Sequence, residues 1–310
     1  MSYFIDTKGN IALEVPNLQV IYCFHEGLAL GINSKYFFNF FDKLGNLVIE
    51  TPFAEARSFS EGLAVVKTSQ NFFFGQEKTK WGAIDKSGRI IFQDDFDKLY
   101  DFSEDIAVAE KSNEILFIGK DGEIIHSFTK DNIYFDPNYG VKFSEGLIAV
   151  QDVKIKKFGF MNKTGDFVIE PQFECAANFS EGLARVSIVE NHSEYLGFIN
   201  PKGEFVIEPR FDTDYDFLRN TNDFSEELAG LSDDPRNMEK KSNFMFLDKT
   251  GEIIFRTDFF YASKFRDGLA CVWDEDKNKN GYIDKSGELA IPLIYNMASD
   301  FSEGLAHVSL

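Results

Sequence analysis

The 310-residue chain contains few cysteines, few basic residues and no long apolar run. Three cysteines without a C-x-x-C pair exclude a disulfide framework and a structural zinc cluster. The 32 lysines and arginines are outnumbered by 51 aspartates and glutamates, which gives a formal net charge of −19. Nucleic acids and anionic membranes attract basic surfaces, so this balance argues against both as partners. No stretch approaches about 18 consecutive apolar residues, so no transmembrane helix is predicted.

Signals for secretion and for catalysis are also missing. The first ten residues lack the basic segment and apolar run of a signal peptide, so we expect a cytoplasmic protein. No P-loop, nucleophile elbow or H-E-x-x-H motif occurs. Neither the four histidines nor the three cysteines occupy a common position in the repeats described next. We therefore expect a monomer that is not an enzyme and that holds no resident cofactor, calcium being the one exception considered below.

Phenylalanine is abundant, with 35 copies, and it begins the first of two sequence signatures that repeat along the chain. The first is Phe-Ser-Glu-Gly-Leu-Ala with variants, and its anchor phenylalanines lie 35–45 residues apart at Phe24, Phe59, Phe102, Phe143, Phe179, Phe224, Phe265 and Phe301. The second is apolar-Asp-Lys-x-Gly, whose glycines are Gly9, Gly45, Gly88, Gly122, Gly165, Gly203, Gly251 and Gly287. Two interleaved eightfold patterns indicate a repeat protein.

Both signatures predict tight turns between β-strands. An aspartate that opens a turn can accept hydrogen bonds from amides two residues further on, and the later glycine can adopt a left-handed conformation. The runs that follow, such as 63–67 and 167–169, are rich in β-branched residues suited to strands. No segment shows an apolar period of 3.6 residues with helix caps. We therefore predict an all-β chain of eight three-stranded antiparallel units, with the anchor phenylalanines in the core.

The combined pattern resembles the bacterial WG repeat family, also called KWG repeats. The segments that carry the resemblance are Lys-Trp-Gly-Ala-Ile-Asp-Lys-Ser-Gly at 80–88, Phe-Gly-Phe-Met-Asn-Lys-Thr-Gly at 158–165, Leu-Gly-Phe-Ile-Asn-Pro-Lys-Gly at 196–203 and Asn-Gly-Tyr-Ile-Asp-Lys-Ser-Gly at 280–287. The namesake tryptophan survives only at Trp81, and Tyr3, Asn39, Leu116 and Met245 replace the namesake glycine. The resemblance implies a single domain of eight WG-type β repeats over residues 1–310, with an interaction role and no transferable catalytic residue.

The two ends of the chain complement each other. The chain opens on a strand and its turn, and it closes on a lone strand within 301–310. We expect that C-terminal strand to complete the N-terminal unit in a propeller-like closed ring, because closure removes exposed sheet edges. The alternative is an open β-solenoid, in which the two ends would lie far apart.

One loop predicts a metal site. Residues 276–284 read D-x-N-x-N-G-x-x-D, and alternating oxygen-bearing side chains before a glycine can surround calcium. The candidate ligands are Asp276, Asn278, Asn280 and Asp284. The repeat itself already explains Asp284, so a plain solvated loop is the competing interpretation.

A second loop predicts a partner surface. Phe72, Phe73 and Phe74 lie in the longest insertion between repeats, where an exposed apolar patch would bind another protein. The alternative is that these side chains fold back over a sheet. Together, the patterns predict a non-catalytic scaffold that binds a protein or peptide partner. The other hypotheses are a sensor of calcium or a small ligand and, least favoured, a carbohydrate-acting enzyme with two facing carboxylates in a central pocket.

Overall fold

The computed structural model describes residues 2–14, 20–32, 37–70, 78–212, 221–232 and 244–310. These residues form thirty β-strands and one short 3-10 helix, so the predicted all-β class is confirmed. No helix among them is long and apolar enough to cross a membrane.

The strands are bounded as follows. The first nine are β1 (Ser2–Asp6), β2 (Ile11–Glu14), β3 (Val20–His25), β4 (Leu28–Ile32), β5 (Phe38–Asp42), β6 (Leu47–Ala56), β7 (Leu63–Gln70), β8 (Lys78–Asp85) and β9 (Ile90–Asp94). The next twelve are β10 (Lys98–Leu99), β11 (Ile106–Lys111), β12 (Glu114–Gly119), β13 (Ile124–Thr129), β14 (Ile133–Tyr134), β15 (Leu147–Asp152), β16 (Lys157–Asn162), β17 (Phe167–Phe173), β18 (Cys175–Ala176), β19 (Ala184–Glu190), β20 (Ser193–Ile199) and β21 (Phe205–Asp212). The last nine are β22 (Ala229–Ser232), β23 (Phe244–Leu247), β24 (Ile253–Thr257), β25 (Tyr261–Ala262), β26 (Ala270–Asp274), β27 (Lys279–Ile283), β28 (Leu289–Tyr295), β29 (Met297–Ala298) and β30 (Leu305–Ser309). The 3-10 helix spans Pro137–Tyr139.

Successive strands pair antiparallel and form eight units. Five units are separate four-stranded sheets, namely β29-β30-β1-β2 (unit 1), β10–β13 (unit 4), β14–β17 (unit 5), β18–β21 (unit 6) and β25–β28 (unit 8). Units 2 and 3 share one seven-stranded sheet, β3–β9, because the long strand β6 ends one unit and begins the next. Unit 7 contains the three strands β22–β24.

The prediction of three strands per unit is therefore wrong for most units. In five units the additional strand is a two-residue segment before the anchor phenylalanine, for example Lys98–Leu99, which pairs with Ala109 and Glu110. A two-residue strand is too short to show the alternation of apolar and polar residues by which strands are recognised in a sequence.

The first and last strands of the chain belong to the same sheet. β1 pairs with β30 over five residues, from Ser2 opposite Ser309 to Asp6 opposite Leu305. Unit 1 therefore takes its first two strands from the end of the chain and its last two from the beginning.

The core lies between neighbouring sheets. All eight anchor phenylalanines are at most 2% exposed. Eight buried clusters of described residues each join two successive units; one, for example, packs Phe117 of unit 4 against Phe143 of unit 5 at 5.1 Å between ring centroids. Two of the eight clusters join unit 8 to unit 1 and unit 1 to unit 2. Each of these clusters thus buries the facing surfaces of two units.

The namesake glycines have a steric role in the third strand. A Cβ atom on Gly159 would lie 2.5 Å from the carbonyl oxygen of Ile169 and 2.7 Å from the nitrogen of Pro171. The register of β16 against β17 shifts at this point, so glycine allows a bulged fourth strand to approach closely. Where Leu116 replaces glycine, it pairs in register with Ser127.

Antiparallel pairing places two kinds of connection at opposite ends of the strands, and each end is named here as an edge. The Glu-Gly turns before each second strand and the Asp-Lys-x-Gly turns between third and fourth strands lie at one edge, which we call the turn edge. The hairpins between second and third strands, and the connections from one unit to the next, lie at the opposite edge, which we call the hairpin edge.

Candidate functional site

The Asp-Lys-x-Gly turns are built by local hydrogen bonds. In the first unit the Asp6 carboxylate accepts from the amides of Lys8 and Asn10, each at 2.9 Å. In unit 3 the hydroxyl of Ser87 and nearby amides lower the pKa of Asp85 to about 2. The eight turn glycines adopt φ angles of 81–89°, which side chains with a Cβ rarely adopt; they are Gly9, Gly45, Gly88, Gly122, Gly165, Gly203, Gly251 and Gly287.

The serine after the anchor phenylalanine joins neighbouring units. The hydroxyl of Ser60 donates to the carbonyl oxygen of Phe102, the anchor of the next unit, at 2.7 Å. The same contact, at 2.6–2.7 Å, is made by Ser103, Ser144, Ser180, Ser225 and Ser302. Ser302 donates to Phe24, so the contact also joins unit 1 to unit 2.

The acidic residue of each Phe-Ser-Glu-Gly turn contacts the turn of the following unit. The Glu26 carboxylate, for example, accepts from the amide of Gly62 at 3.0 and 3.1 Å. All eight units contribute such an interface carboxylate: Glu26, Glu61, Glu104, Glu145, Glu181, Glu226, Asp267 and Glu303. The backbone of each is left-handed, with φ between 51° and 56°, as two-residue turns with positive φ at both positions require.

Lysines of the other signature complete these contacts. Lys86 lies 3.1 Å from Glu26, and the same pairing between turn lysine and interface carboxylate recurs for Lys43, Lys120, Lys163, Lys249 and Lys285 at 3.0–3.4 Å. The Phe-Ser-Glu-Gly signature therefore supplies the carboxylate of the contact between units, and the Asp-Lys-x-Gly signature supplies its lysine. Their aspartates, glutamates and lysines are used in turns and interfaces at the turn edge.

A pocket of about 460 Å³ lies where the first strands of units 2 to 5 meet. Each of these units supplies at least one titratable residue to its wall: Tyr22 and His25 come from unit 2, Arg57 from unit 3, Asp101 from unit 4 and Lys142 from unit 5. Among the described residues that line the pocket, Asp101 is the one carboxylate.

The Asp101 carboxylate is incompletely compensated. Its Oδ1 atom is buried and accepts no hydrogen bond from the described residues, although the Arg57 guanidinium lies 3.6 Å away. Desolvation raises the pKa of Asp101, and the charges of Arg57 and Lys142 oppose that shift. Arg57 and Lys142 thus stabilise the ionised form of Asp101, which burial disfavours.

Two further cations act on the pocket from unit 8. Partial burial and the Arg266 guanidinium lower the pKa of His25. Burial, Arg266 and Lys142 lower the pKa of Lys264, while Asp223 and Asp300 oppose the shift. Residues of units 1, 2, 4, 5, 7 and 8 therefore influence one another electrostatically.

Sequence reasoning missed this group of charges, although a signal was present. The residue immediately before the anchor phenylalanine is polar in seven of the eight repeats, namely Ser58, Asp101, Lys142, Asn178, Asp223, Lys264 and Asp300, and is Cys23 in the remaining one. Polar residues at a fixed position beside a buried anchor indicate a shared polar environment, but their chemical types differ from repeat to repeat. Residue-type motifs therefore do not detect them.

One buried arginine at the unit 6–7 interface was also missed. Arg185, whose side chain is 5% exposed, donates to the Asp223 carboxylate at 2.7 Å and to the Thr221 carbonyl oxygen at 3.0 Å. It occupies a second-strand position where the other repeats have smaller side chains or His307. This arginine fixes the segment that precedes the Phe224 anchor.

The four predicted calcium ligands do not lie together. Asp276 and Asn278 are in the hairpin turn between β26 and β27, and Asn280 is in β27, where its amide donates to the Asn296 carbonyl oxygen at 3.1 Å. Asp284 is at the other end of β27 and accepts from Ser286 and Glu288. Four residues of strand separate Asn280 from Asp284 by about 13 Å, whereas calcium ligands lie within about 2.6 Å of the ion.

One ion therefore cannot contact all four residues. Calcium at Asp276 and Asn278 stays a prediction. The predicted partner surface, Phe72, Phe73 and Phe74, lies outside the residues that the structure describes.

Solved structures show the same type of fold at low sequence identity. A quinohemoprotein alcohol dehydrogenase from Pseudomonas putida HK5 has a TM-score of 0.53 at 8% identity, with 99% of this chain and 70% of that chain covered. A eukaryotic initiation factor has a TM-score of 0.52 at 11% identity, covering 91% and 84%. The computationally designed Ika8 protein has a TM-score of 0.51 at 10% identity, covering 92% and 87%. These neighbours have propeller-like folds, and the likeness concerns the fold alone.

Curated proteins give no match to the sequence. The family described as WG containing repeat matches five segments, residues 40–71, 81–114, 158–188, 197–230 and 281–310. These segments make up more than half of the chain and contain both repeated signatures. The chain therefore belongs to the WG repeat family.

Proposed function

We propose that the chain is a non-catalytic repeat scaffold whose eight units close into a ring and whose hairpin edge binds a protein or peptide partner. Closure is supported by the pairing of β1 with β30 and by buried clusters on both sides of unit 1. The interface contacts support it as well, because Glu303 of unit 1 accepts from the Gly27 amide of unit 2 in the same way as Glu26 accepts from Gly62. In an open stack, the first and last units would each leave one face without such a neighbour.

The observation that carries the binding proposal is the confinement of length variation to one edge. Connections between second and third strands range from two residues (112–113) to eleven (233–243). The turns between third and fourth strands keep one form, with the amide of the turn glycine bonded to the carbonyl oxygen three residues earlier in all eight units. A rigid edge opposite a variable edge is the arrangement that repeat proteins use for binding, because loops there can vary without disturbing the core.

The experiment that tests binding compares two sets of apolar substitutions. The chain, tagged and expressed at native level, is crosslinked and its partners are identified by mass spectrometry. The triple variant Phe72→Ser, Phe73→Ser and Phe74→Ser changes the sequence between β7 and β8. The matched control, Ile124→Ser with Ile125→Ser, changes two exposed side chains of a fourth strand.

We expect a specific partner to be enriched by the unmodified chain and by the control but not by the triple variant. Equal enrichment by all three would contradict binding through this edge. Failure of every form to enrich a partner, together with measured turnover of a small molecule, would contradict the non-catalytic scaffold itself.

A further inference from the structure

We propose that the pocket between units 2 and 5 binds a small anionic ligand with carboxylate or phosphate chemistry. Its volume of about 460 Å³ lies within the range of about 300–1,000 Å³ in which proteins bind small molecules. The wall combines apolar surface from Leu30, Phe59 and Phe102 with charged groups from separate units. This is the composition of a ligand site, in which a few polar groups orient a molecule that is held mainly by burial.

The described residues that line the pocket carry more positive than negative charge, unlike the protein as a whole. The chain carries a formal net charge of −19, yet Arg57 and Lys142 line the wall with Asp101 as the one described carboxylate. Outside the wall, Arg266, Glu26 and Glu303 act on His25, and Lys142, Arg266, Asp223 and Asp300 act on Lys264. A cationic concavity in an acidic protein attracts anions selectively, because the surrounding surface repels them.

Three of these four cations lack an ion-pair partner among the described residues, whereas Arg57 lies 3.6 Å from Asp101. No salt bridge within 4.0 Å joins Lys142, Lys264 or Arg266 to a carboxylate of the described residues. Elsewhere the lysines of the repeat pair with interface carboxylates, as Lys86 does with Glu26. Asp223 and Asp300 act on Lys264 from beyond ion-pair distance. Placing like charges together costs electrostatic free energy, and groups of this kind are concentrated at binding sites.

The chemistry favours a ligand with more than one negative oxygen. Arginine presents a planar fork that matches carboxylate or phosphate, and lysine supplies a point charge to the same oxygens. The two residues approach the pocket from units 3 and 5, so a ligand with two anionic oxygens can contact both. Carboxylic acids and phosphorylated molecules share this chemistry.

The experiment titrates the full chain with small anions at constant ionic strength. Inorganic phosphate and citrate are the two probes, sodium chloride balances the ionic strength, and binding is measured by calorimetry and by the shift of the thermal midpoint. The variants Lys142→Met and Lys264→Met each remove one cation of the pocket region. Lys202→Met is the matched control, since Lys202 is an exposed lysine of a turn on unit 6 that does not line the pocket.

We expect saturable binding of at least one probe, weakened about tenfold or more by Lys142→Met, as loss of a charged hydrogen bond predicts. We expect Lys264→Met to weaken it less and Lys202→Met to leave it unchanged. Binding of phosphate alone would identify a phosphorylated ligand, and binding of citrate alone a carboxylic acid. Binding unaffected by Lys142→Met, or no binding above the sodium chloride control, would overturn the proposal.

The anion proposal does not rest on the scaffold proposal. Its probes are small ions, and its variants change no residue of the hairpin edge. Failure of one experiment therefore leaves the outcome of the other unaffected.

Discussion

Substitution of Glu303 by glutamine should weaken the contact between unit 1 and unit 2. The Glu303 carboxylate accepts from the Gly27 amide at 3.1 and 3.2 Å, and Lys43 lies 3.1 Å from it. Hydrogen bonds to a charged group are worth about 1.5–3 kcal/mol when buried, and exposed ion pairs are worth at most about 1 kcal/mol. Because the Glu303 side chain is 30% exposed, we expect a loss of about 1–2 kcal/mol in the free energy of unfolding at neutral pH.

The assay is denaturant unfolding followed by the fluorescence of Trp81 and Trp273. Glu288→Gln is the matched control, because it makes the same chemical change on an exposed side chain. A double-mutant cycle with Lys43→Met separates the ion pair from the amide contact. Equal destabilisation by Glu303→Gln and Glu288→Gln would refute the assignment of Glu303 as an interface carboxylate.

The pH dependence gives an independent check on the same residue. Burial acts to raise the pKa of Glu303, but the bonds from Lys43 and Gly27 outweigh it and leave that pKa below its usual value of 4.5. A carboxyl whose pKa is lower in the folded chain stabilises it above the unfolded value, and the stabilisation is lost as the pH falls through the folded value. The difference between the unmodified chain and Glu303→Gln should therefore be full at pH 7 and disappear below pH 4.5.

Three other predictions concern the core and its neighbours. Gly159→Ala would place a Cβ atom against the backbone of the adjacent strand and should lower the free energy of unfolding by about 1–3 kcal/mol. In Gly119→Ala the new Cβ atom would meet only flexible side chains, so the loss should be smaller. Thermal melting measures both. Arg185→Met removes a charged hydrogen bond to Asp223 and should lower the free energy of unfolding by about 1.5–3 kcal/mol. Adding Asp223→Asn should restore part of that loss, and additive losses would contradict the pairing of the two residues. Burial raises the pKa of Cys271 to about 12, so a thiol reagent at pH 8 should modify this residue only after unfolding, as peptide mass spectrometry would show.

The interface carboxylates change how the repeated signature is interpreted. Eight acidic residues at one repeated position resemble a set of candidate catalytic or metal-binding groups. Their contacts instead join each unit to the next, as when Glu145 accepts from the Gly182 amide at 3.0 Å. The residues that vary at one repeated position, such as Asp101 and Lys142, are the ones on which the proposed anion site depends. In this repeat protein, regular positions serve the architecture and irregular positions are the candidates for function.

Local patterns predicted much of the fold. The strands, the turn glycines and the buried anchor phenylalanines follow from interactions within about ten residues, such as the Asp6 carboxylate with the amides of its own turn. The short first strands were not predicted, because two residues such as Lys98 and Leu99 carry no periodic pattern. The proposed calcium ligands were adjacent in sequence, but an extended strand separates Asn280 from Asp284.

The sequence by itself determined the repeat, the strand-forming segments and the turns, because each depends on the chemistry of neighbouring residues. Only the tertiary structure decided which distant residues meet: Ser302 with Phe24, Glu303 with Gly27, and the charged residues of four units around one pocket. The physical reason is that the apolar faces of neighbouring units pack together in buried clusters, one of which contains residues from both ends of the chain. Residues as far apart in the sequence as Ser2 and Ser309 then pair, and no local sequence pattern encodes that distance.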